Sequence, residues 1–132
     1  MDRVFLDANV LFSAAYREHS GLRRLWELER VQLVTSGYAA AEAHRNLPEG
    51  EPRMRLESLL AVMEVSVEVM ELSLPTGVDL PAKDRPIQLA ALHARATHLL
   101  TGDVAHFGPY FGRSIEGVQI LRPAEYLRSR PR

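Results

Sequence analysis

Val4-Phe5-Leu6-Asp7-Ala8-Asn9-Val10-Leu11 decides the fold class. Three apolar residues closed at once by an acid and a small polar pair read as a short buried strand that ends in a turn. Working outward from it, the same unit recurs. Val31-Gln32-Leu33-Val34 is a second strand, ended by Thr35-Ser36-Gly37. Val65, Val67 and Val69 alternate with Ser66, Glu68 and Met70, the period of a strand. His98-Leu99-Leu100-Thr101 is a fourth, stopped by Gly102-Asp103, and Val118-Gln119-Ile120-Leu121 a fifth.

Helical segments fill the gaps. Ser20 caps a segment whose Leu22, Leu25 and Trp26 share a face, which makes Trp26 a core residue rather than a stacking platform. Ser36-Gly37-Tyr38 reads as the N-cap turn of an Ala-rich helix that runs to Leu47 and stops at Pro48 and Gly50. Leu56, Leu59, Leu60 and Met63 form the stripe of a third helix. Leu74 to Lys83 is a loop, and Asp84-Arg85-Pro86 opens a helix whose face is Ile87, Ala90, Ala91 and Ala94. The stretch up to Gly117 is mostly loop, and Pro123 to Arg130 is a short terminal helix. Strands alternating with helices imply βαβ units, a parallel sheet with right-handed crossovers, and helices on both faces.

Composition narrows the functional classes. The 132 residues are 46% hydrophobic and 25% charged, the balance of a single globular domain spanning 1–132. With no cysteine there is no thiol nucleophile, disulfide framework or thiolate-held metal. No apolar run approaches the roughly 20 residues that span a bilayer. Met1 to Asp7 lacks the apolar core of a signal peptide, so a cytoplasmic protein with no membrane partner is expected. The net charge of −1 provides no general basic field, so nucleic acid requires a local site.

In a parallel α/β sheet the site lies at the carboxyl ends of the strands. Four acids fall on that rim: Asp7 after strand one, Glu42 in the helix after strand two, Asp84 opening the helix after strand three, and Asp103 after strand four. Singly, each has a structural role open to it, Asp7 as a cap, Asp84 and Asp103 at a helix or turn start, Glu42 on a solvated face. Jointly, four carboxylates on one edge repel one another and are tolerated mainly with a cation between them. Oxygen ligands without sulfur suit Mg²⁺ or Mn²⁺, and the implied chemistry is metal-assisted hydrolysis of a phosphodiester.

These blocks resemble the PIN-domain nuclease family, which includes the VapC-type toxins of bacterial toxin–antitoxin pairs. The resemblance rests on Val4–Leu11, Glu42, Lys83-Asp84-Arg85-Pro86-Ile87 through Ala91, and Leu99–Asp103 with His106-Phe107-Gly108, in family order from residue 4 to about residue 127. It implies a three-layer α/β/α sandwich around a five-stranded parallel sheet of order 3-2-1-4-5. It also implies a Mg²⁺- or Mn²⁺-dependent endoribonuclease that leaves 5′-phosphate and 3′-hydroxyl ends. Asp7, Glu42, Asp84 and Asp103 match the acidic quartet, and Asn9 and Thr101 the supporting polar positions. RNA is the expected substrate and a small antitoxin protein a possible partner.

The competing reading is a non-catalytic binding module on the same fold, which would be free to lose some of these acids; here all four stand with Asn9 and Thr101. A response-regulator receiver is disfavoured, because Leu72-Ser73-Leu74 follows strand three and no lysine follows strand five. An aspartyl-nucleophile phosphatase needs a second Asp where Asn9 stands. His106 beside Phe107 reads as part of a packed turn, and His44, like Arg45, either as a phosphate contact or as part of a solvated helix face. Met54 to Met63 carries more apolar surface than one sheet face needs, so a two-fold homodimer is expected. Such pairing would gather Arg45 and Arg85 from two chains into a phosphate-binding surface.

Overall fold

The structure, a computed structural model, describes residues 1–66, 90–92 and 94–130. Asp84, Arg85 and the alternating valines beyond Ser66 lie outside the described residues, as does the side chain of His106.

Strand β1 (Asp2–Leu6) holds the centre of the sheet. Val4, Phe5 and Leu6 are each wholly buried although successive strand side chains point to opposite faces. Both faces of β1 are therefore covered, which defines three layers. Helix α1 (Ala8–Tyr16), a 3-10 segment (Gly21–Glu27) and β2 (Val31–Ser36) follow. Then come α2 (Gly37–Asn46), α3 (Glu51–Ala61) and β3 (Glu64–Ser66). After β4 (His98–Leu100) come α4 (Val104–Phe107), a 3-10 turn (Gly108–Tyr110), β5 (Ser114–Ile115), β6 (Val118–Leu121) and α5 (Pro123–Ser129).

The strand order is β3-β2-β1-β4-β6-β5. From β1 the chain first steps outward through β2 to β3, and later outward on the other side from β4 to β6. Right-handed crossovers taken in opposite directions put their connecting helices on opposite faces of the sheet. The expected five-stranded, all-parallel sheet is corrected in one respect. The strands at 2–6, 31–36, 64–66, 98–100 and 118–121 are parallel in the expected order, but β5 adds a sixth, antiparallel edge strand on β6. A two-residue turn makes it possible: Glu116 and Gly117 both have positive φ, 51° and 84°, the backbone that joins tight hairpins.

The predicted faces are the buried ones. Leu56 and Leu59 of α3 enter the core while Leu60 and Met63 pack at its margin, and residues 90–92 are helical with Ala90, Ala91 and Ala94 buried. Ser20 caps its segment through Leu22 N at 3.3 Å, although that segment is 3-10 rather than α. Trp26 packs against the core, and its indole N–H donates to the Leu59 carbonyl at 3.2 Å. Among the described residues no helix is long and apolar enough to cross a membrane.

At the amino end of the sheet, α5 is clamped to β1. The Tyr126 hydroxyl donates to Asp2 Oδ2 at 2.7 Å, and Arg130 Nη2 does so at 2.6 Å. Burial pushes the Asp2 carboxyl up, but these donors outweigh it and hold it below its ordinary range. Burial, then the bond to Asp2, pushes the Tyr126 phenol up to about 12. His98 packs edge-on against Tyr126 with ring centroids 5.0 Å apart. Burial holds its imidazole below the ordinary value, with Asp2 opposing and Arg130 reinforcing that shift.

Candidate active site at the carboxyl edge of the sheet

The opposite end of the sheet gathers the predicted polar residues. Asp7, the first residue after β1, is almost wholly buried and does two jobs with its two oxygens. Oδ1 accepts from Ala8 N at 2.7 Å and so caps α1. Oδ2 accepts from the Thr101 hydroxyl at 2.8 Å and from Asn9 Nδ2 at 3.1 Å. The capping reading of Asp7 is therefore realised, while its second oxygen faces Asn9 and Thr101.

Thr101 is fully buried, and its hydroxyl is used to capacity. A hydroxyl has one proton to give and two lone pairs with which to accept. The proton goes to Asp7, and the lone pairs face Asn9 Nδ2 at 3.2 Å and the backbone N–H of Asp103 at 3.1 Å. Asn9 closes the ring: its Oδ1 accepts from Gly102 N at 2.8 Å. Asp7, Asn9, Thr101 and Asp103, assigned from sequence, thus come together around one hydroxyl.

The strands reach this point in register. Leu6 pairs with Leu100 and Leu100 with Leu121, so the residues that follow them, Asp7, Thr101 and Arg122, continue one row across β1, β4 and β6. The Asp7 N–H donates to the Leu100 carbonyl and the Thr101 N–H to that of Leu121, both at 3.1 Å, so the ladder holds up to the rim. On the other side, buried Thr35 of β2 donates to the Leu6 carbonyl at 2.9 Å. The next residue, Ser36, caps α2 by accepting from Ala39 N at 3.1 Å, as its sequence context predicted.

Glu42 stands half-buried on α2 and makes no hydrogen bond or ion pair among the described residues. Its neighbour His44 lies 4.0 Å from Glu57, and Arg45 is exposed. Asp103 is half-buried at the start of α4. Among the described residues no three His, Cys, Asp or Glu side chains are grouped so that they could hold a metal ion. Asp84, the third acid in chain order, lies outside them. The carboxylates present still fit a hard divalent cation in kind, being oxygen ligands with no sulfur among them. Arg122 is the rim residue that sequence reading passed over. Its signal was its position, directly after the fifth apolar run, as Asp7 directly follows the first.

No protein-family model and no curated protein matches this sequence. Solved structures do match its fold. A chain of VapBC2 from Rickettsia felis, solved bound to a DNA fragment from their promoter, superposes with a TM-score of 0.64 at 13% identity, covering 91% of this chain and 98% of that one. A chain of VapBC-1 from nontypeable Haemophilus influenzae gives 0.57 at 17% identity, covering 92% and 98%. This chain therefore has the PIN fold of the VapC neighbours, with a sixth, antiparallel strand on an otherwise parallel sheet.

Proposed function

We propose that this protein is a Mg²⁺- or Mn²⁺-dependent endoribonuclease, the toxin of a toxin–antitoxin pair, with Asp7, Glu42, Asp84 and Asp103 as its acidic site. The observation that carries the proposal is the Asp7–Thr101–Asn9 ring at the carboxyl edge of a PIN fold. A fold likeness alone is silent about chemistry. A buried carboxylate fixed by three donors and set beside a second acid is a feature of this chain's own residues.

In this reading Thr101 and Asn9 are positioning residues. They fix the Asp7 carboxylate in one rotamer, and Thr101 also anchors the backbone of Asp103, which ties the two acids to one hydroxyl. Holding such groups in place before the substrate arrives removes reorganisation from the reaction itself. When bound, Mg²⁺ or Mn²⁺ supplies the positive charge that draws phosphate oxygens to an acidic edge and offsets the charge developed in hydrolysis. Both structural neighbours are VapBC complexes, which supports an antitoxin partner here. Two chains pair through the exposed Met54 of α3 and Val62 just beyond its end.

The test is cleavage of labelled single-stranded RNA by the wild type. Cleavage with Mg²⁺ or Mn²⁺, abolished by EDTA and leaving 5′-phosphate ends, is expected. An inert wild-type protein across varied RNA sequences would favour the binding-module reading instead.

A further inference from the structure

We infer that Arg122 is a binding point for a backbone phosphate of the RNA strand, with Phe111 holding its guanidinium plane in place. This rests on the ribonuclease reading and names a substrate contact that reading lacks. A chain of net charge −1 whose reactive edge is acidic needs a local cation if a polyanion is to lie along that edge.

The register supplies one. Asp7, Thr101 and Arg122 continue a single row across three neighbouring strands. Strands stand about 4.8 Å apart, so the Arg122 backbone is two spacings, roughly 10 Å, from that of Asp7. The rung between Thr101 N and the Leu121 carbonyl fixes that separation.

The side chain is prepared rather than consumed. Its Cζ lies 5.1 Å from the centre of the half-buried Phe111 ring, which covers one face of the guanidinium. The side chain remains 53% exposed. Glu125 stands 3.9 Å from Nε, beyond hydrogen-bond length, and Glu125 Oε1 is taken by the Arg122 backbone N–H at 3.3 Å. Three other arginines are committed elsewhere. Arg130 is bound to Asp2, Arg3 to Glu64, and Arg55 to the Ala15 and Tyr16 carbonyls. A planar fork of N–H donors matches a phosphate, and stacking on a ring limits the rotamers it must lose on binding.

The experiment measures steady-state cleavage of several RNA sequences against salt by wild type, Arg122→Gln, Arg122→Lys and Phe111→Leu. Arg122→Gln should raise KM roughly tenfold while kcat stays within about twofold. It should also lower the slope of log kcat/KM against log salt by about 0.7, the value for one phosphate on a single strand. Arg122→Lys should keep the slope and recover part of the affinity, and Phe111→Leu should raise KM with the slope intact. A merely structural Arg122 would change the melting temperature and leave the salt slope alone. An active wild type with the same KM and slope in a folded Arg122→Gln protein overturns this inference and spares the nuclease reading. So does an effect confined to particular RNA sequences, which would indicate base stacking. A wild type that cleaves no RNA overturns both.

Discussion

A single hydroxyl proton orients the candidate site. Thr101 gives it to Asp7 and accepts from Asn9 and Asp103 N, so one substitution disturbs three partners. Thr101→Val keeps the shape but leaves buried polar partners unmatched, at a cost of about 1–3 kcal/mol. Urea unfolding should show a loss in that range together with reduced RNA cleavage, and Thr101→Ser should restore both. A Thr101→Val protein with wild-type stability and activity would mean that the ring has no positioning role. At this scale the sequence was informative about residue types and silent about bonds. Asp7 and Thr101 directly follow apolar residues at strand ends, and Asp103 follows the Gly102 turn. The two separate duties of Asp7's oxygens depend on Thr101, 94 positions away, and no local pattern encodes that.

Among the elements, α5 is held by the most titratable contact. Tyr126 is wholly buried, so Tyr126→Phe removes a bond to a charged group, at a cost of roughly 1–3 kcal/mol. The pH dependence has two acid limbs. His98 sits below its ordinary 6.5 in the folded chain, so its contribution is intact above that value and is lost as pH falls from there through the folded pKa. Asp2, also depressed, adds its loss only below its ordinary 3.8. Tyr126 has the reverse sign: raised to about 12, it stabilises fully below 10 and loses its contribution as pH rises towards 12. Denaturant titrations should therefore show stability declining below pH 6.5, and His98→Gln should flatten that first limb. An equal decline in His98→Gln would assign it to other groups. Elements were legible in proportion to their length and burial. The runs at 4–6, 31–34, 98–101 and 118–121 announced themselves by their concentration of branched and other apolar residues between turn signals. Strand β5 did not, since two residues cannot display a period and its turn uses Glu116 where Asn or Asp is the usual signal. The Ser20 cap was readable but not the 3-10 character after it, because 3-10 and α segments share their first-turn chemistry.

For the whole molecule, the PIN fold is shared with VapBC chains at 13% and 17% identity, so the likeness is one of fold. Linkage tests whether the acids act together. Mn²⁺ at a hundredfold over its Kd should stabilise the wild type by roughly 2.7 kcal/mol. Asp84→Ala should lose most of the resulting rise in melting temperature if Asp84 joins the rim. A rise unchanged in Asp84→Ala would leave that acid as a cap. Light scattering tests the pairing: a mass of two chains at micromolar concentration is expected, falling to one chain in Met54→Glu/Val62→Glu, whereas a wild-type monomer would refute it. The central claim, that the carboxyl edge hydrolyses RNA, is tested most directly by Mn²⁺-dependent cleavage measured side by side for wild type, Asp7→Asn and Asp103→Asn. Loss of at least a hundredfold in both variants, with circular dichroism unchanged, is the predicted result; cleavage at the wild-type rate by folded Asp7→Asn would contradict it.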